Sequence, residues 1–195
     1  MSIFLFLEIQ DPLVVELLTN LKCTFSGKPS LSPVHVTVRG PYKKVPSEGY
    51  LEKLWETIEG EGVLLSGIRS FEFETKKYVY IQTHSKAIRK IWWKSDYPIF
   101  EHGFNPHITL YEGPASTANK IEAFLKEERL EFYCHNLSLR LYKTGQADLF
   151  GNTNREIHVE HLTKDTKSIL TQPYRWEVGI EYRAKQLMRS IELAD

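Results

Sequence analysis

The chain predicts a bilobal α+β fold with a cleft between two copies of one folding unit. Three observations lead there. Short runs of β-type alternation are separated by runs in which apolar residues recur at helical spacing. The order strand, helix, strand, helix, strand, strand occurs twice. Two tetrapeptides, His35-Val36-Thr37-Val38 and His107-Ile108-Thr109-Leu110, hold the same place in each copy, 72 positions apart. A period that long is no solenoid repeat, and a lobe of that size needs a partner to cover its sheet.

Composition bounds the answer. With 195 residues, 42% apolar and 12% aromatic, the chain can fill a real core, which excludes disorder. Lys+Arg and Asp+Glu are balanced at 25 each, which argues against a protein that coats duplexes by charge alone. Two cysteines, Cys23 and Cys134, make no disulfide framework and read as thiols of a reducing compartment. The apolar start over residues 2–9 lacks a basic n-region and a small-residue cleavage site, so it reads as a core strand. No stretch approaches the ~20 apolar residues of a membrane span. The expectation is a cytoplasmic protein with no membrane partner.

Taken in order, residues 3–9 form the first strand. Asp11-Pro12 then gives an N-cap and a first-turn proline for a helix over 12–22, with Leu13, Leu17, Leu18 and Leu21 inward. Ser26 to Ser30 is a loop. The first motif strand, 34–39, closes at Gly40-Pro41. A helix follows over 47–59 with Leu51, Leu54, Trp55 and Ile58 on one face, then strands over 62–66 and 68–75. The second round brings a strand over 78–82 and a helix over 85–94. The second motif strand, 106–111, closes at Gly113-Pro114. Ser116 can cap a helix to about Glu128, with Ile121, Phe124 and Leu125 inward, and strands over 130–134 and 137–142 flank a tight turn at His135-Asn136. Residues 145–152 read as a loop, 156–162 as a further strand and 183–193 as a terminal helix.

Side chains alternate faces along a strand, so His35 and Thr37 share one face while Val34, Val36 and Val38 share the other. His107 and Thr109 stand opposite Ile108 and Leu110 in the same way. With the apolar rows buried, two imidazoles and two hydroxyls are left for one cleft. One neutral and one protonated histidine can act as base and acid on a phosphodiester, and the threonine hydroxyls can donate to its non-bridging oxygens. The same alternation puts Arg39 and Tyr111 two further along the cleft-facing rows, as a phosphate contact and a base-stacking ring. Tyr42 and Phe104 flank the motifs as rim contacts. A third His-x-Thr, at His161 and Thr163, has Lys164 at its fourth position and no Gly-Pro after it. His158, Glu160 and His161 cannot share a face on a strand, which makes a metal site there a poor expectation.

The doubled tetrapeptides match the His-x-Thr-x signature of the 2H phosphoesterase superfamily, which includes 2′-5′ RNA ligase-like proteins and cyclic nucleotide phosphodiesterases. The chain resembles that family over roughly residues 1–162. The resemblance implies two lobes with facing motifs and metal-independent chemistry on 2′,3′-cyclic phosphates or 2′-5′ linkages. The expected fold is α+β, bilobal and duplicated: two antiparallel sheets flanked by helices, with a central cleft carrying both motifs. The expected domain is 1–163, from pseudo-repeats of about 1–76 and 77–143 plus a strand to 163, with 164–195 as a C-terminal extension. The expected protein is a monomer without cofactor or metal, whose catalytic residues are His35, Thr37, His107 and Thr109. Its substrates would be RNA ends, cyclic nucleotides or 2′-5′ oligonucleotides. The rival readings are a non-catalytic RNA- or nucleotide-binding module, a 2′-5′ RNA ligase, and a hydrolase of a cyclic oligonucleotide signal.

Overall fold

A computed structural model describes residues 2–30, 32–92, 104–144, 154–156 and 178–193. Among the described residues, two four-stranded antiparallel sheets carry the β-type runs. The first contains β1 (Ser2–Ile9), β2 (His35–Tyr42), β7 (Leu137–Thr144) and β8 (Asn154–Glu156), in the order β2-β1-β7-β8. The second contains β3 (Val63–Phe73), β4 (Lys76–His84), β5 (His107–Gly113) and β6 (Glu131–Cys134), in the order β5-β4-β3-β6. Among the described residues there are five helices: α1 (Pro12–Ser26), α2 (Glu48–Ile58), α3 (Lys86–Trp92), α4 (Ala115–Glu128) and α5 (Ile180–Glu192). The protein is therefore α+β with two antiparallel sheets. No helix among the described residues is long and apolar enough to cross a membrane.

Neither sheet is built from one half of the sequence. Strand β3 comes from the first half and lies between β4 and β6, while β7 comes from the second and pairs with β1 from end to end. Leu5, Leu7 and Ile9 of β1, Val36 and Val38 of β2, and Leu139 and Leu141 of β7 are all buried. They join residues of the second sheet and the helices in a single apolar cluster. Burial of that cluster is the main stabilising term, at about 25 cal/mol per Å² of apolar surface removed from water. The exchange of strands ties the two halves into one cooperative body.

Several local readings need correction. The segment His135-Asn136 is no hairpin turn, because β6 and β7 belong to different sheets. It is a crossing, fastened by Asn136, whose backbone N–H and Nδ2 donate to the Asp11 carboxylate at 3.3 and 3.0 Å. Asp11 stands at the N-cap of α1, and its carbonyl accepts from Val15, yet its carboxylate makes no cap bond because the crossing takes it. In α1 the inward stripe runs through Val14, Leu17, Leu18, Leu21 and Phe25, and Leu13 is 54% exposed. That helix continues to Ser26 and stops at Gly27, whose φ of 67° is a left-handed cap that glycine adopts without steric cost. Ser116 lies inside α4, whose first bond is accepted by the carbonyl of Pro114. The strands expected over 62–66 and 68–75 are one, β3, with an irregularity in its pairing between Leu65 and Ile68.

Helix α5 packs on α1 and α4. The Arg183 guanidinium grips the Glu128 carboxylate through two bonds of 2.7 and 2.6 Å, and Asn20 donates to Glu181 at 3.1 Å. The loop over 145–152, the strand residues 157–162, Trp93, His102, His158, Glu160, His161 and Thr163 lie outside the described residues.

Candidate active site

Among the described residues, strands β2 and β5 are the edge strands of their sheets, and they pack beside each other. Each begins with its motif histidine. The residue before each histidine is pinned by the neighbouring strand: Ile9 N–H donates to the Val34 carbonyl and Thr83 N–H to the Pro106 carbonyl, both at 3.0 Å. Register then sets the faces. On β1, Glu8 lies opposite His35, Leu7 opposite Val36 and Phe6 opposite Thr37. On β4, Gln82 lies opposite His107, Ile81 opposite Ile108 and Tyr80 opposite Thr109. His35, Thr37, His107 and Thr109 are half-buried, whereas Val36, Val38, Ile108 and Leu110 are in the core.

The imidazoles are held alike. The Nδ1 of His35 bonds the Pro33 carbonyl at 2.9 Å, and that of His107 bonds the Asn105 carbonyl at 2.6 Å. A carbonyl only accepts, so each Nδ1 carries its hydrogen and each Nε2 is left with a lone pair in the neutral ring. Aromatic rings support both. Phe6 stacks on His35 with centroids 3.7 Å apart and an 18° tilt, and Tyr142 stacks on Phe6 at 4.6 Å. Tyr80 lies 4.6 Å from His107, and Phe71 meets it edge-on at 5.6 Å. No hydrogen bond among the described residues engages the hydroxyl of Thr37 or Thr109.

Burial lowers His35 from 6.5 to about 4; its bond to Pro33 pulls it up, and the charges of Lys22 and His107 push it further down. Burial also lowers His107, against the upward pull of its bond to Asn105. That His107 reaches His35 electrostatically agrees with the packing of β2 on β5. Lys22 was not foreseen. Its Nζ donates to the Ser32 and Pro33 carbonyls at 3.3 and 3.5 Å, so it shares the Pro33 oxygen with His35. Removing the ammonium with Lys22→Met takes away a like charge, so the His35 pKa should rise from about 4 toward 6.5. The Cε1 proton titration by NMR reads this directly, and an unmoved midpoint would refute the role given to Lys22.

Two expected site residues are elsewhere. The pairing slips by one residue between Thr37 and Arg39 and again between Thr109 and Tyr111, a bulge at the same place after each motif. Arg39 therefore stands opposite Leu5 and Tyr111 opposite Val79, both core positions. Arg39 is 0% exposed, and its Nη2 donates to the Ile91 carbonyl in the last turn of α3. Tyr111 is buried with its hydroxyl bonded to Thr117. The phosphate contact expected of Arg39 and the stacking ring expected of Tyr111 are thus corrected to packing and capping roles. Just after the first bulge, Gly40 has φ 116°, and a Cβ there would stand 2.7 Å from the Ile3 carbonyl oxygen. Tyr42 packs edge-on against Tyr50 of α2. Phe104 packs edge-on against Trp92 of α3, with the Arg89 guanidinium 5.6 Å from its ring centre.

Beside His35, Glu8 is only 5% exposed and heavily bonded. It accepts from the Tyr142 hydroxyl, from Gln10 Nε2 at 3.0 Å and from Arg140 Nε at 3.3 Å. The second sheet has the neutral Gln82 at the matching place. A signal for these neighbours was present in the sequence: Phe4-x-Phe6-x-Glu8 and Tyr78-x-Tyr80-x-Gln82 are the same pattern on the strand beside each motif. The candidate site is thus two His-x-Thr rows on strands that adjoin. No protein-family model and no curated protein matches this chain.

Proposed function

We propose that the chain is a two-histidine phosphoesterase of the 2H type, a duplicated bilobal molecule that hydrolyses 2′,3′-cyclic phosphate or 2′-5′ phosphodiester bonds in RNA ends or nucleotides. The observation that carries the reading is the matched tethering of the motif imidazoles: Nδ1 to a backbone carbonyl two residues back, on edge strands that adjoin. That tether fixes the tautomer that leaves Nε2 to move a proton, twice over.

In the proposed step, water attacks phosphorus and gives its proton to one Nε2 as the new P–O bond forms. The P–O bond to the departing ribose oxygen breaks, and the other imidazolium protonates that oxygen. The Thr37 and Thr109 hydroxyls donate to the non-bridging oxygens as charge builds there. His35, lowered to about 4, suits the base; His107 is the acid, recharged when an anionic phosphate enters. No metal or cofactor has a part in this step, and the protein acts as a monomer in the cytoplasm.

The test is a substrate panel of 2′,3′-cyclic mononucleotides, 2′-5′ and 3′-5′ oligonucleotides and cyclic dinucleotides, assayed with a chelator present. The expected outcome is turnover of at least one that persists in chelator and depends on both histidines. Turnover restored only by added metal, or unchanged without the histidines, overturns the proposal.

A further inference from the structure

The two sheets offer the site unequal flanks. In register with Phe6 and Thr37, β7 presents Arg140, and in register with Tyr80 and Thr109, β3 presents Arg69. The positions correspond, but their electrostatics differ. Arg140 is half-buried and engaged by Glu8 and Ser138. Arg69 is exposed, and among the described residues its guanidinium makes no ion pair or hydrogen bond. Two residues on, Phe71 lies parallel to Tyr78, centroids 5.0 Å apart and tilted by 9°, and both rings are half-buried. Phe71 also touches His107 edge-on, so this ring pair adjoins the motif rather than sitting on a distant surface. Ser70, between Arg69 and Phe71, bonds Glu122 of α4, which places the helix on the opposite face of the sheet from Arg69 and Phe71.

We infer that Arg69, Phe71, Tyr78 and Gln82 form a nucleotide subsite beside His107, which makes the substrate a phosphodiester joining two separate nucleotides rather than a cyclic mononucleotide. The inference rests on the proposed function. If His107 protonates the departing oxygen, the departing group lies on the side of the second sheet. In a 2′,3′-cyclic mononucleotide that oxygen stays on the same ribose, and a base-and-phosphate subsite there has no occupant. In an internucleotide linkage the P–O bond breaks and a whole nucleotide departs. Its base stacks on the aromatic pair, its next phosphate meets the Arg69 guanidinium, and the Gln82 amide offers a donor and an acceptor to its edge.

Binding tests this apart from turnover. Titration calorimetry would use the chain carrying His35→Ala, with 2′-5′ and 3′-5′ adenylate trimers and 2′,3′-cyclic AMP as probes. At least one trimer should bind about tenfold or more tighter than the cyclic mononucleotide, in line with one stacked base. Adding Arg69→Ala should weaken that trimer by about tenfold and move the cyclic AMP affinity less than about twofold, and adding Phe71→Ala should weaken the trimer by about tenfold or more. Arg69 is exposed, so its variant keeps the fold even if the Phe71 variant does not. Equal affinity for trimers and cyclic AMP, or an Arg69→Ala loss shared by both ligands, overturns the subsite while leaving histidine-dependent hydrolysis standing. The expected binding pattern with no histidine-dependent turnover in the parent chain would keep the subsite and sink the proposed function.

Discussion

Replacing His35 or His107 by alanine is expected to lower kcat on the preferred phosphodiester by about 10²- to 10⁴-fold, the range a positioned general acid or base contributes. The two act on one proton circuit, so the double variant should be little worse than either single one. Losses that multiplied would mean two independent roles. Substrate affinity should change much less than kcat, because the aromatic rings and threonine hydroxyls around the site remain. A double variant that retained more than about a tenth of the parent rate would end the acid–base assignment.

The pH dependence follows from the same pair. The profile of kcat/KM reports groups on the free protein. Its acid limb should reflect His35, which must be neutral to accept a proton and titrates near 4. Its basic limb should reflect His107, which must be charged to donate and is held below 6.5 by burial. The optimum is therefore expected on the acid side of neutrality, and an optimum above pH 7 in kcat/KM would contradict the assignment. Stability runs the other way. His35 binds its proton more weakly in the folded state than in the unfolded one, so the unfolded state takes up protons first as pH falls. The contribution is fully present above 6.5 and is lost as pH drops toward about 4.

The histidine and threonine rows were legible because they need only local physics. Alternation on a strand and a buried apolar row decide which side chains stay together. The helices were legible for a similar reason, through the spacing of residues such as Leu51, Leu54, Trp55 and Ile58. What escaped was non-local. That β7 joins β1 depends on pairings between residues more than a hundred positions apart, and no pattern within either strand announces its partner. The Asp11 carboxylate looked like a cap because the cap signal is local, whereas its partner, Asn136, arrives from 125 positions away. Lys22 escaped because it reaches the Pro33 carbonyl from a helix, across a loop whose path the sequence does not specify. The bulges escaped because a one-residue slip leaves composition untouched and turns over every side chain beyond it.

Arg39 is where that slip has its largest consequence, and it separates the two readings of the residue. If Arg39 held phosphate, Arg39→Leu would raise KM strongly and leave thermal stability alone. Its burial against the last turn of α3 points the other way. A helix ends with carbonyls that have no partner inside the helix, and a cation near that end is also favoured by the peptide dipoles. Removing the guanidinium leaves the Ile91 carbonyl without that donor in a site closed to water, and it empties volume beside Leu5. The unmet carbonyl costs about 1–3 kcal/mol, and imperfect repacking around leucine adds about 1 kcal/mol or more. For a chain of this size each kcal/mol shifts Tm by roughly 2–4 °C, so Arg39→Leu should lower Tm by about 5–15 °C. Below that melting point kcat/KM should stay within about threefold of the parent, since no reacting atom loses a contact. A variant that melted like the parent but bound substrate a hundredfold more weakly would return Arg39 to the cleft and remove the bulge argument.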